Sequence, residues 1–433
     1  DASPASFSLV DTFNFSYFDI GVSFLEEASP QGLLPELLFR KGYATFLPFT
    51  QLLELTQAAI DASVSGDTVL VSPGTYVENI NYSGKDILVK STEGAAVTTL
   101  EQGDGTESLV MFANNETRQA ILDGFRIANS TYGAAIKCTA SSPRITRCII
   151  EDNISVGITF SDGSPSIVAN EILDNGGPGI AGDWSGVEEI EITGNTIAGN
   201  YGHGIQIMQT GSLLLIEYNR LSQNRLGILV RYARGPVVIR HNLIANTLSE
   251  NALEVSLGVG FEISSNTIYG GVRGIDIPYS ETPATGTDNI IVGCSDWALY
   301  DPFHCLSRTM FWDNEQDWYS AYPVSPAKYI RANPEFTSPE TGDFSLRCDS
   351  PAIDAGSPDL LDADGTRADI GAFPFNYQGG TPVAMDFSLL GENQFMVYSP
   401  KITFVWRPKT WSSETITIDT LFCISNPISG EEI

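Results

Sequence analysis

A short pattern recurs eight times along the middle of the chain. Its anchors are Phe125, Cys148, Asn170, Asn195, Asn219, Asn242, Asn266 and Asn289, spaced 22 to 25 residues apart. Two positions after each anchor stands a branched aliphatic: Ile127, Ile150, Ile172, Ile197, Leu221, Ile244, Ile268 and Ile291. A second series keeps step with the first: Ile136, Ile158, Ile180, Ile205, Ile228, Leu253, Ile275 and Leu299. A fixed period of this length marks a solenoid, in which each unit buries its apolar face by stacking on its neighbours.

Each unit is rich in β-branched residues at alternate positions and punctuated by Gly, Asn, Ser and Pro, which is strand chemistry with turns between. Two residues after the second series come Cys138, Phe160, Gly182, Ile207, Val230, Val255 and Ile277. Side chains two apart share a face of a strand, so this strand sends two columns into one core. About 23 residues per coil leave room for two or three short strands. That predicts an all-β parallel β-helix, because the Leu-x-x-Leu-x-Leu frame of a leucine-rich repeat is absent. Eight coils at about 4.8 Å each make a column on the order of 40 Å tall. The anchor asparagines read as a structural stack, each amide bonding its copy on the next coil, rather than as a ligand ladder.

With these residues in view, positions 52 to 300 resemble right-handed parallel β-helix proteins of the pectate-lyase-like superfold. The segment Ala58-Ala59-Ile60-Asp61 with Gly66-Asp67-Thr68-Val69-Leu70-Val71-Ser72-Pro73-Gly74-Thr75-Tyr76 resembles their N-terminal cap and first coil. The resemblance implies a short capping helix, expected within Gln51 to Ala62. It implies no single activity, since the superfold hosts lyases, hydrolases, epimerases, adhesins and structural proteins.

The chain is strongly acidic: 23 basic against 53 acidic residues give a net charge of −30. Such a surface repels nucleic acid and anionic membrane, and disfavours a polyanionic glycan unless Ca²⁺ bridges the two. No stretch reaches the ~18 apolar residues of a membrane span. The opening Asp1-Ala2-Ser3-Pro4 reads as a mature end after signal removal, consistent with a secreted or cell-surface protein. Among six cysteines, Cys294 with Cys305 and Cys348 with Cys423 are expected disulfides, and Cys138 and Cys148 are expected as buried thiols. No Cys/His cluster at metal spacing occurs, which disfavours zinc and attached haem; no nucleotide cofactor is expected.

Four regions are expected. Residues 1–50 form an aromatic arm, either packed along the column or donated to another copy of the chain. Residues 51–300 form the β-helix. Residues 301–378 follow a period break at 294–330 whose aromatic residues fit either a sugar-lining insertion or a cap on the lower end. Within them, Asn333-Pro334-Glu335-Phe336, Gly342-Asp343-Phe344-Ser345-Leu346, Ser350-Pro351-Ala352-Ile353-Asp354-Ala355-Gly356 and Asp362-Ala363-Asp364-Gly365-Thr366-Arg367-Ala368-Asp369-Ile370-Gly371-Ala372-Phe373 resemble the choice-of-anchor Q segment of exported prokaryotic proteins. That resemblance implies a surface context. Residues 379–433 read as a small β-module.

Outward positions on neighbouring coils lie about 5 Å apart. Glu254 and Asp276 should therefore be adjacent, with Arg231 one coil away and Asp183 and His203 further up. Carboxylates at that spacing suit a retaining glycosidase, and an Arg base beside acidic Ca²⁺ ligands suits a polysaccharide lyase. Gly202-His203-Gly204 resembles the Gly-His-Gly of β-helix polygalacturonases, but the rest of that pattern is missing. Trp297 and Trp312 are candidate sugar contacts. Asp354, Asp359, Asp362, Asp364 and Asp369 are the candidate Ca²⁺ ligands, since Asp-x-Asp-Gly gathers hard oxygens at one turn. Glycosylation sequons begin at Asn14, Asn81, Asn115, Asn129 and Asn153. The function expected first is a structural or adhesive extracellular protein that assembles with its own copies and meets extracellular polysaccharide; the alternative is a polysaccharide lyase or glycoside hydrolase.

Overall fold

The computed structural model describes residues 37–40, 43–46, 55–103, 107–183, 188–303, 305–319, 329–363, 365–375, 403–406 and 414–417. Among them, three parallel sheets of short strands wind into one column. The first sheet runs from Thr68–Val71 to Phe261–Ser264, the second from Gly74–Val77 to Tyr329–Arg331, and the third from Ile80–Asn81 to Leu299–Tyr300.

The two expected columns are present in register. Ile127, Ile150, Ile172, Ile197, Leu221, Ile244, Ile268 and Ile291 pair rung by rung in the second sheet. Ile136 to Leu299 do the same in the third. All are at most 1% exposed, which places both columns in the core. A third column was not resolved from the sequence: Leu122, Ile145, Ile167, Ile192, Ile216, Ile239 and Ile263 in the first sheet. Phe160 faces Gly182 across one rung, and a Cβ on Gly182 would meet that ring at 2.2 Å. The glycine is the space that the phenyl ring fills.

The anchor asparagines stack as expected. From Asn170 to Asn289, each Nδ2 and backbone N–H donates to the Oδ1 of the next copy at 2.9 to 3.1 Å. Each Nδ2 also reaches a core-strand carbonyl, as Asn219 does to Ile192 O at 2.8 Å. The amides thus satisfy a turn whose backbone the core would otherwise leave unpaired. A second ladder of Asn153, Asn175, Asn200 and Asn224 works the same way at the next corner. Sequence spacing is rigid at the first corner and loose elsewhere. From first-sheet to second-sheet column the step is five residues on each coil from Leu122–Ile127 to Ile263–Ile268, against seven and eleven on the two coils above (Val69 to Tyr76, Val89 to Leu100); from third sheet to first it varies from nine to twelve.

The capping helix spans Leu55–Ala62. Glu78 accepts the N–H groups of Thr56 and Gln57 at its start, and Lys85 Nζ donates to the carbonyls of Ile60 and Asp61 at its end. Both ends of the helix are thereby satisfied and matched to its dipole. A hairpin of Leu37–Arg40 and Tyr43–Phe46 pairs antiparallel with Thr68–Val71, covering the upper edge of the first sheet. The aromatic part of the arm, including Phe13 to Phe18, lies outside the described residues.

The period shortens after 294 instead of breaking. Ile291 pairs onward with Phe311, and Phe311 with Arg331, adding two rungs of about 20 residues to the second sheet. The chain then returns up the outside of that sheet. Leu346, Ala352 and Ile370 bury Ile290, Val292 and Met310; Phe344 buries Leu243 and Ala245. Asp288 fastens this strap by accepting from Ser357 N at 2.9 Å and Gly371 N at 2.8 Å. A small antiparallel hairpin, Thr403–Trp406 with Glu414–Thr417, lies beyond it.

Asn219→Ala should destabilise the column by about 2–3 kcal/mol, because it takes the acceptor from the buried Asn195 backbone N–H and the amide donor from the Ile192 carbonyl. Urea unfolding followed by circular dichroism measures this; a wild-type midpoint would show that water replaces the amide.

Candidate functional site

The outward face of the third sheet brings together Arg231, Glu254 and Asp276. Strand alternation turns Gln206, Leu229, Glu254, Asp276 and Tyr300 outward, one per rung. Glu254 and Asp276 are register partners. Arg231, on the strand above, holds Glu254 Oε1 through Nε at 2.9 Å and through Nη2. Ser256 Oγ adds a longer bond to the same oxygen at 3.3 Å.

Asn251 links the two carboxylates, and sequence reasoning missed it. Its Nδ2 donates to Glu254 Oε2 at 3.1 Å and to Asp276 Oδ2 at 2.9 Å. The two acceptor oxygens are therefore at most about 6 Å apart. Asn251 shares the parity of inward Leu253, so alternation alone assigns it to the core. It opens its strand at the corner, where its amide reaches the carboxylates. Asp276 Oδ1 and Asn251 Oδ1 are buried and have no partner among the described residues.

Burial first, and the Glu254 charge second, push the Asp276 carboxyl up to about 6, against the Asn251 hydrogen bond and the Arg273 and Arg231 charges. Burial and the neighbouring negative charge both penalise the ionised form. His203, three rungs above Asp276's strand, is partly buried, and burial lowers its imidazole below the ordinary range, opposed by Glu254 and Gln206. It lies within the field of the Arg231–Glu254 pair. Asp183 is exposed two rungs above Arg231, about 10 Å away along the column.

Below Asp276, Tyr300 meets Tyr319 edge-on at 5.2 Å, and Trp297 packs against both. Trp297 is 7% exposed and lies under Arg273, so it supports this cluster and is not an open sugar platform. Trp312 is 44% exposed and lines a cleft of about 540 Å³ with the turn that follows it.

Among the described residues no group of three or more His, Cys, Asp or Glu side chains can hold a metal ion. Two of the aspartates expected to bind Ca²⁺ accept from backbone, and Asp354 Oδ1 is buried without a partner among the described residues. Asp369 accepts from Asp354 N at 2.7 Å and Phe375 N at 2.6 Å, and Asp362 accepts from Asp369 N at 2.8 Å. Burial, with Asp362 and Asp354 adding, pushes Asp369 up to about 7. Asp359 is exposed, and Asp364 lies outside the described residues.

Cys294, expected to pair with Cys305, is instead a free thiol buried in the core, and burial pushes it up to about 12. Cys138 and Cys148 are buried and free, as expected. Cys348 is disulfide-bonded, and its expected partner Cys423 lies outside the described residues. Of the sequons, Asn115 and Asn129 are exposed and Asn81 is half-buried. Asn153 is 2% exposed and belongs to the second ladder, so glycan transfer there would need the ladder opened. Asn14 lies outside the described residues.

A family model described as right-handed beta helix region matches residues 85–244 and 186–301. Among solved structures the chain is similar to pectate lyase Pel9A, with a TM-score of 0.45 at 16% identity over 74% of this chain and 90% of that one. It is also similar to the catalytic domain of a GH87 alpha-1,3-glucanase in complex with nigerose, with a TM-score of 0.39 at 11% identity over 66% and 67% of the two chains. At these identities the likeness concerns the fold alone. No curated protein matches the chain.

Glu254→Gln should lower the Asp276 midpoint from about 6 toward the ordinary carboxylate range, since it removes one of the two causes of the rise. Carbon-detected NMR titration of the Asp276 carboxyl reads it directly. An unmoved midpoint would leave burial as the sole cause.

Proposed function

The chain belongs to the right-handed beta-helix family, and we propose that it uses the outward face of its third sheet as a retaining glycoside hydrolase on an extracellular glycan. The observation that supports this reading is a pair of carboxylates joined through Asn251 and placed in unequal surroundings. Arg231 compensates the charge of Glu254, whereas Asp276 is raised to about 6 with a buried, unpartnered oxygen. Two carboxyl groups whose environments separate their proton affinities divide into nucleophile and acid. The limit of about 6 Å on their spacing admits the ~5–5.5 Å of retaining enzymes and lies below the ~6.5–9.5 Å of inverting ones.

In this reading Glu254 attacks the anomeric carbon, the glycosidic C–O bond breaks, and Asp276 gives its proton to the leaving oxygen. Water then attacks the glycosyl ester on Glu254, and Asp276 takes back the proton. Arg231 and Asn251 position Glu254. A lyase reading would call on Arg231 as the base, but Arg231 is committed to Glu254.

A second reading keeps the column as a non-catalytic surface element that displays an acidic face to copies of itself or to polysaccharide. The net charge of −30 and the resemblance of residues 333–373 to an anchor segment support it. Both readings place the protein outside the cell.

Glu254→Gln and Asp276→Asn should each lower turnover of a responsive polysaccharide by at least 10³-fold, with the fold unchanged by circular dichroism. The wild-type rate should fall as pH rises through about 6, because Asp276 must hold its proton to act as acid. Reducing-end assays on a polysaccharide panel measure both. An active protein indifferent to these changes removes this face from consideration; a panel without turnover selects the non-catalytic reading.

A further inference from the structure

We propose that the cleft formed by Trp312, Asp313, Glu315, Asp317, Trp318 and Arg331 is a binding site for a neutral saccharide, separate from the carboxylate face. The inference does not rest on the hydrolase reading. Trp312 ends the strand Thr309–Trp312 and continues an outward column of the second sheet, Tyr269 to Val292 to Trp312. The strap covers the upper members: Tyr269 packs on Phe336 and Phe344, and Val292 on the Leu346 cluster. It stops short of the largest, leaving Trp312 44% exposed.

The turn beside it is held in place. Gly293 N donates to Trp312 O at 3.1 Å, Asn314 Oδ1 accepts from Cys294 N at 2.9 Å, and Asn314 Nδ2 donates to Ile291 O at 3.0 Å. Ala298 N to Gln316 O at 2.8 Å and Tyr319 N to Leu299 O at 2.9 Å fix its exit on the third sheet. Trp318 forms the far wall. Arg331 lies over that indole at 4.7 Å and is itself tied to Asp317 Oδ2 at 2.6 Å. The space between is about 540 Å³ and broadly open to solvent, a shallow cleft that would cover one face of a ligand.

This chemistry fits a sugar ring. An open indole offers a flat apolar face to the C–H side of a pyranose, and a rim of carboxylates accepts from its hydroxyls. Asp313, Glu315 and Asp317 outnumber one arginine that is already paired, so anionic sugars are repelled. The same acidic rim, on a chain of net charge −30, disfavours a second copy as the occupant.

Isothermal titration calorimetry of the full chain in the Glu254→Gln background, where cleavage does not consume the probe, tests the site. The probes are cellohexaose, laminarihexaose and maltohexaose, with trigalacturonate as the anionic comparison. At least one neutral hexasaccharide should bind; Trp312→Ala should weaken it at least tenfold, and Trp312→Phe, which keeps an aromatic face, should restore part of the loss. Binding of none of the three, equal binding by Trp312→Ala, or trigalacturonate binding as tightly as the neutral probes would each overturn the proposal. A dimer seen by analytical ultracentrifugation and lost in Trp312→Ala, without sugar binding, would assign the cleft to a second copy.

Discussion

The protein depends on the side-chain amides that close its tightest corner. Strand-to-strand hydrogen bonds stack the coils, but they would stack a slipped coil equally well. The buried asparagines do not tolerate a slip, because each amide must find the next amide and a core carbonyl at once. A displaced coil would bury unpaired donors and acceptors in the least forgiving part of the molecule. Register is therefore set jointly, by the apolar columns on every coil and by polar pairing at the corner where the ladder runs from Asn170 to Asn289.

That register also explains how the site arises. A β-helix converts a sequence distance of one period into a spatial distance of about 5 Å. Glu254 and Asp276, 22 residues apart in sequence, become neighbours without a dedicated loop. Placing two acids one rung apart costs electrostatic energy, and the surrounding face offsets it with Arg231, Asn251 and Arg273. The result is a differentiated pair whose members differ in charge compensation and burial.

The fold was legible because its signals repeat. Each inward aliphatic could be checked against seven copies of itself, and each anchor asparagine against five. The column through Ile145 and Ile216 and the ladder through Asn175 and Asn200 had the same periodicity and were findable by the same test. The site was partly legible: alternation and period placed Glu254, Asp276 and Arg231, but Asn251 sits at a corner where parity fails. What the sequence hid were the non-repeating contacts. Cys294 lies close to Cys305 in sequence, yet it turns into the core. The strap aspartates read as cation ligands in a string of letters, and the letters do not show that Asp362 and Asp369 accept from backbone N–H groups. Trp297 and Trp312 are indistinguishable as letters, and only packing makes one a support and the other a surface.

The unequal corners carry an evolutionary consequence. The corner with the first asparagine ladder keeps its five-residue step on each coil the ladder joins, so an insertion there would break the chain of amides above and below it. The corner from the third sheet to the first absorbs the variation in length. It borders the face that carries Arg231 and Glu254. New loops can thus accumulate beside that face while the frame stays in register, which leaves the column free to change what it grips without relearning how to fold.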